Sequence, residues 1–185
     1  NWDVVLKTAI SDLEVDQREV NSKLYYIKYK IEGSSKSITI ATTRPETMLG
    51  DTAIAVNPKD DRYKNIVGKN AIIPLADRKI KIITDEYADP EQGTGAVKIT
   101  PAHDFNDYEV GVRNNLEIIN IFTENGKINS NSPDKYKGLD RFAARKSIID
   151  DLKEGNYLVK EEKIKNKVPY GDRSNSIIEP YLTEQ

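Results

Sequence analysis

Between residues 19 and 33 the chain alternates apolar and polar positions with the two-residue period of a half-buried strand. Tyr25, Ile27, Tyr29 and Ile31 fall on one face, and Tyr26, Lys28 and Lys30 on the other. Gly33-Ser34-Ser35 breaks the pattern as a turn and KSITIATT resumes it, which predicts a hairpin. DTAIAV and GAVKIT predict further strands, as do the two halves of NAIIPLADRKIKIITD around Ala76-Asp77-Arg78. EIINIFTENGKIN predicts a second hairpin turning at Asn125-Gly126, and short strands return in the last thirty or so residues.

The helical period is strongest in LDRFAARKSIIDDLKEG. There Phe142, Ile148, Ile149 and Leu152 share a face, Asp140 stands at the N-cap and Gly155 at the end. HDFNDYEVGVRNNL reads as a helix capped by Asp104, and DDRYKNIVG as a short helix ended by Gly68. Thr43 and Glu46 have capping-box spacing with Pro45 in the first turn, so a short helix is expected from there to Gly50. Many short strands with few short helices predict an α+β domain with a barrel-like, mostly antiparallel β-sheet core.

Composition narrows this picture. A length of 185 residues suits one domain with a real core, and neither a repeat nor a low-complexity linker divides it. A net charge of −2 argues against a chain that grips nucleic acid tightly by phosphate neutralisation alone. The lack of cysteine excludes disulfides, thiolate nucleophiles and Cys-type zinc sites. With no membrane-length apolar run and no signal-peptide pattern, no membrane partner and a cytoplasmic location are expected. The start at Asn1 and the stop at Gln185, directly after a strand-like run, read as the ends of a domain cut from a longer protein. Ten tyrosines against three phenylalanines could line a wet surface, although most read simply as strand residues.

Candidate chemistry concentrates in two segments. ATTRPETMLGDTAIAV, residues 41–56, places Thr42, Thr43, Arg44 and Thr47 at a chain reversal where a solvent loop would use Gly, Asn and Ser. GTGAVKITPAHDFNDYEVG, residues 93–111, opens on Gly93-Thr94-Gly95, where backbone can approach a ligand closely. Lys98 and Thr100 then share a strand face, and Asp104 and Asp107 stand three apart at a helix start. Each has a plainer reading: Asp104 as a cap, Asp107 as a first-turn charge, His103 as structural, Lys98 as solvent-facing. One His and two Asp are thin support for a metal. Taken together, the groups suit a ligand with an ammonium and a polarised carbonyl. No Ser-His-Asp order is visible and no Cys exists, so water is the expected nucleophile rather than a covalent acyl-enzyme.

TTRPETMLGDTAIAVNPKDDRY, GTGAVKITPAHDFNDYEVG and VPYGDRSNSIIEPYLTEQ resemble the inserted (CP1) editing domain of valyl-tRNA synthetase, over nearly the whole chain. Lys98 and the AHDxxDYE run favour the valyl type over the leucyl and isoleucyl ones. The resemblance implies the common Val/Ile/Leu editing-domain fold over residues 1–185, with 1–20 and 168–185 leading from and back to the synthetase body. It implies hydrolysis of threonine wrongly esterified to tRNA(Val), with no cofactor and no metal, ATP being used by the synthetase domain. The partners implied are the threonine-bearing 3′ end of tRNA(Val) and the rest of the synthetase.

Carried over by residue, Asp107 holds the α-ammonium, and Asp104 shapes the site near the ammonium or the threonine hydroxyl. Lys98 and Thr100 line the pocket near the ester, with Lys98 available to an oxyanion. Thr42, Thr43, Arg44 and Thr47 face the terminal adenosine and the ester, Thr42 and Thr47 carrying more of the contact if Thr43 caps the helix. Gly93-Thr94-Gly95 form a wall towards the adenosine, and His103 joins the substrate-binding set. Gln92 stands where some valyl domains have an aromatic residue, which puts base stacking there in doubt. The alternatives are a non-catalytic module for the tRNA acceptor end, a leucyl- or isoleucyl-type editor, and a metal-dependent hydrolase using His103, Asp104 and Asp107.

Overall fold

A computed structural model describes residues 1–183 of the chain. The strands are β1 (Trp2–Asp3), β2 (Thr8–Ala9), β3 (Val15–Ile31), β4 (Ser37–Thr42), β5 (Ala53–Val56), β6 (Asn70–Ile72), β7 (Lys79–Thr84), β8 (Val97–Ile99) and β9 (Leu158–Gly171). The α-helices are α1 (Phe105–Arg113) and α2 (Arg141–Glu154). The main sheet runs β4-β3-β6-β7-β5-β8, with β9 also on β3. Only β5 and β7 pair in parallel within it; the other pairs are antiparallel. The expected α+β class holds as a curled, mixed half-barrel. Its two outer strands are drawn together where the Thr94 hydroxyl donates to the Thr39 carbonyl of β4 at 2.6 Å.

The alternation in β3 works as read. Ile27, Tyr29 and Ile31 are buried and pack with Ile38 and Ile40 of β4, in the register Tyr25↔Thr42 to Lys30↔Ser37. β5 is buried along its whole length, because both faces are covered. Ile54 and Val56 belong to the main core, while Ala53 and Ala55 pack with Ile99 and with Val110 of α1. That places α1, and the residues at its start, against the end of β8.

Several expectations are corrected. Pro45–Gly50 is a 3-10 helix with Arg44 at its N-cap and no side-chain cap, so the Thr43–Glu46 box does not form. Glu46 is instead fully buried and paired with Arg145, a stronger partner than a backbone amide. Residues 58–68 form successive turns rather than a helix, with amide-to-carbonyl bonds stepping Tyr63 to Asp60 and Ile66 to Tyr63. The Asn125-Gly126 turn is present, but its hairpin holds only the single bridge Phe122↔Ile128. In α2 the buried stripe is Arg141, Ala144, Ile148 and Leu152, and Phe142 is exposed beneath the guanidinium groups of Arg141 and Arg145. The chain after α2 is not a set of short strands. β9 pairs with β3 from Val15↔Gly171 to Ile27↔Leu158 as one long ribbon.

Candidate functional site

The two sequence segments meet because β8 lies antiparallel to β5, with Ile54 opposite Lys98. Thr42, Thr43, Arg44 and Thr47 from the first segment, and Lys98, Thr100, His103, Asp104 and Asp107 from the second, line one cavity of about 280 Å³. Leu24, Ala41, Tyr87 and Val97 complete it. Gly93, Thr94 and Gly95 do not line it. Their turn is structural: the Thr94 hydroxyl is spent on Thr39, and its carbonyl accepts from the Tyr63 hydroxyl. The turn is a brace between strands, and it comes near the cavity wall at Gly93, where an added Cβ would lie 3.3 Å from that of Ala41.

At the cavity floor Lys98 is a hub. Its ammonium donates to Thr47 Oγ1 at 2.8 Å and to Thr100 Oγ1, and it pairs with Asp51 Oδ1 at 2.9 Å. Those three acceptors match its three N–H groups. Thr100 in turn donates to Asp51 Oδ1 at 2.7 Å, and Tyr29 donates to Asp51 Oδ2 at 2.6 Å. Burial pushes the Asp51 carboxyl up against the opposing pull of Lys98, Tyr29 and Thr100. Asp51 was missed by sequence reading, which took it for the first residue of the strand DTAIAV. Its signal was the placing of a lone carboxylate one residue before a fully apolar strand.

The carboxylate pair sits above. Asp104 Oδ1 caps α1, accepting from the amides of Asn106 at 2.8 Å and Asp107 at 2.9 Å. Asp107 Oδ2 accepts from the Thr100 amide at 3.0 Å. Among the described residues, Asp104 Oδ2 and Asp107 Oδ1 take no hydrogen bond, so each carboxylate keeps one oxygen for a ligand. Burial, then the charge of Asp104, push the Asp107 carboxyl up to about 7, with Lys98 and the Thr100 amide opposing. A ligand ammonium bound beside it would favour the ionised carboxylate, as Lys98 already does.

The threonines divide differently from the expectation. Thr42 Oγ1 accepts from the Arg44 amide at 3.0 Å, and Thr47 Oγ1 donates to the Arg44 carbonyl at 3.0 Å. Thr43, expected to be the cap, makes no hydrogen bond among the described residues and lines the cavity with a free hydroxyl. His103 is buried, and its Nε2 accepts from the Ile121 amide at 2.9 Å. Burial, then the charges of Arg44 and Lys98, lower its pKa to about 3, so the ring is neutral and braces the loop after α1. Among the described residues no cluster of three His, Cys, Asp or Glu is placed to hold a metal ion.

Arg44 stands at the mouth, shared between this cavity and a larger groove along β3 and β9. It donates to the His103 carbonyl at 3.1 Å and to Glu179. Its Nε lies 3.5 Å from Glu46, and Arg145 holds Glu46 in a bidentate pair at 2.8 and 2.7 Å. At the other end Glu179 Oε1 accepts from Arg141 at 2.7 Å. Apart from Arg44 and Glu46, two positions apart, none of these partners is legible from spacing, since they lie 38 to 135 positions apart.

Comparison with known proteins agrees with the fold. Residues 65–141 match the family model "Leucyl-tRNA synthetase, editing domain". The half-barrel superposes with a TM-score of 0.58 on GlLeuRS-CP1, covering 74% of this chain and 98% of that one at 13% identity. It superposes with a TM-score of 0.57 on the Agrobacterium radiobacter K84 agnB2 LeuRS of a LeuRS-tRNA-LeuAMS complex, covering 82% of this chain and 20% of that one at 22% identity. At those identities the likeness is one of fold alone: the chain has the fold of the aminoacyl-tRNA synthetase editing domains. Over its full length the chain is 79% identical to the valine--tRNA ligase of Pelagibacter ubique, 55% to that of Dechloromonas aromatica and 56% to that of Coxiella burnetii. Within the editing domains, the chain belongs to the valine--tRNA ligase family. It spans about a fifth of the length of these curated relatives.

Proposed function

We infer that the cavity hydrolyses the ester of threonine wrongly attached to tRNA(Val). The observation that carries this is the pairing of two carboxylates, each with a spare oxygen, with a lysine–hydroxyl floor in one small cavity. Asp107 Oδ1 and Asp104 Oδ2 take the α-ammonium. That brings the ester carbonyl towards Thr43 and the Lys98 hub. Water attacks the carbonyl carbon, and the developing oxyanion draws on Lys98, which exchanges one hydroxyl acceptor for it. Collapse breaks the bond to the ribose oxygen, which leaves with a proton, releasing free threonine and intact tRNA. Arg44, with spare N–H groups at the mouth, faces the anionic nucleotide.

The cavity is suited to the discrimination required. Threonine and valine have one shape, and an apolar synthetic pocket rejects an added hydroxyl poorly, a limit for which the valyl enzymes are the standing example. A polar cavity that bonds the hydroxyl reverses the preference, because valine would leave a buried group unpaired at about 1–3 kcal/mol. The test is ester loss from threonyl-tRNA(Val) and valyl-tRNA(Val) with the full-length gene product. Faster loss of the threonyl ester is expected; equal rates for the two would refute the specificity.

A further inference from the structure

We propose that Glu179 is a positioning residue for the site, holding Arg44 at the cavity mouth and tying its placement to the pairing of the two ends of the chain. The inference rests on the reading of the cavity as an aminoacyl-tRNA site. Five alternating charges run in line, Arg145–Glu46–Arg44–Glu179–Arg141. Glu179 is 2% exposed, yet both of its carboxylate oxygens are used, Oε2 on Arg44 and Oε1 on Arg141. A buried carboxylate bonded on both sides has one available place. Its backbone is equally fixed: the Glu179 amide donates to the Trp2 carbonyl at 3.0 Å, and the Trp2 amide to the Glu179 carbonyl at 2.8 Å.

Arg44 depends on this anchor. Its side chain is 29% exposed at the mouth, and its neighbours there are the Glu179 and Glu46 carboxylates and one backbone carbonyl. Both carboxylates hold the guanidinium above its ordinary pKa against the cost of burial. Glu46 is itself held by Arg145, so Glu179 is the Arg44 partner that connects to the pairing of the chain ends. A shift of Glu179 with that pairing would shift the guanidinium across the mouth. An Arg that contacts the nucleotide away from the ester contributes to binding more than to the chemical step, which fixes the kinetic signature.

The test measures kcat and KM for threonyl-tRNA(Val) hydrolysis by the full-length gene product and its Glu179→Gln, Glu179→Asp, Arg141→Gln and Arg44→Ala variants, with melting temperatures alongside. Glu179→Gln is expected to raise KM about tenfold with kcat within about twofold, the size of one weakened charge-assisted contact. Glu179→Asp, which keeps the charge, is expected to rescue part of that loss. Arg141→Gln, which weakens the hold on Glu179 Oε1, is expected to lower the melting temperature and to raise KM by less than Glu179→Gln does, because the arm to Arg44 survives. In an Arg44→Ala background Glu179→Gln is expected to add no further KM effect. A Glu179→Gln enzyme with unchanged KM, or KM losses that multiply in the double variant, would overturn the proposal. An unmodified enzyme that does not hydrolyse the threonyl ester would instead sink the reading of the cavity itself.

Discussion

Lys98 and Asp51 form a buried ion pair at 2.9 Å, with side chains 7% and 0% exposed, beneath the cavity that the two motif segments build. Such a pair holds geometry more than it adds stability, since desolvation offsets most of its attraction. Removing one partner is another matter. Asp51→Ala strands the Lys98 ammonium and the Tyr29 and Thr100 hydroxyls, and is expected to cost about 3–5 kcal/mol by urea unfolding. Replacing the pair together with the Tyr29 hydroxyl, Asp51→Leu with Lys98→Met and Tyr29→Phe, is expected to recover much of that stability while leaving no ester hydrolysis.

Asp107 gives the site a pH dependence with a defined sign. Its carboxyl is raised from 3.8 to about 7, so between those values the folded protein holds a proton that the unfolded chain has lost. Its contribution is present below pH 4 and lost as pH rises through 7, at up to roughly 1.4 kcal/mol per pH unit. Asp107→Asn is expected to remove that slope and to be the more stable protein at pH 8, measured by denaturant melts across pH 4–8. Hydrolysis should move the opposite way in the unmodified enzyme, rising with pH through about 7 as the carboxylate that takes the ammonium ionises.

Thr47 tests the hydroxyl floor. Its Oγ1 accepts from Lys98 and donates to the Arg44 carbonyl inside a site where it is 4% exposed. Thr47→Val keeps the shape and removes both bonds, at an expected cost of about 1–3 kcal/mol. The activity loss should fall on kcat, because the Lys98 ammonium that meets the oxyanion loses its alignment.

Gly95 tests the reassignment of the glycine turn. Its φ is +81°, and an added Cβ would lie 2.5 Å from an Arg62 nitrogen and 2.9 Å from Asp60 Oδ2. Gly95→Ala is expected to destabilise by about 1–3 kcal/mol through backbone strain and the disturbed Asp60–Arg62 pair. Hydrolysis at a temperature where the variant is folded should change by less than about twofold. A large rise in KM in a folded variant would return the turn to the wall that meets the adenosine.

What the sequence disclosed and what it withheld follow physical lines. Strands with one buried face were legible, as at Ile27, Tyr29 and Ile31, because alternation records burial. β9 was not, because the ribbon it makes with β3 is largely solvated, and EEKIKNK carries no apolar face to read. The Thr43–Glu46 spacing suggested a cap because local bonding is the default, but Arg145, 99 positions away from Glu46, competes better. For the same reason Lys98, Thr100, Asp104 and Asp107 were found as a local cluster, while Asp51 and Glu179 were not. Their partners are assembled only by the fold.

The most direct measurement is single-turnover hydrolysis of threonyl-tRNA(Val) by the full-length gene product and by its Asp107→Ala variant. The expected result is loss of the threonyl ester well above its spontaneous rate, falling to that rate in the variant while the protein stays folded. A folded Asp107→Ala enzyme that still clears the ester at the unmodified rate would contradict the assignment of this cavity as the site of the reaction.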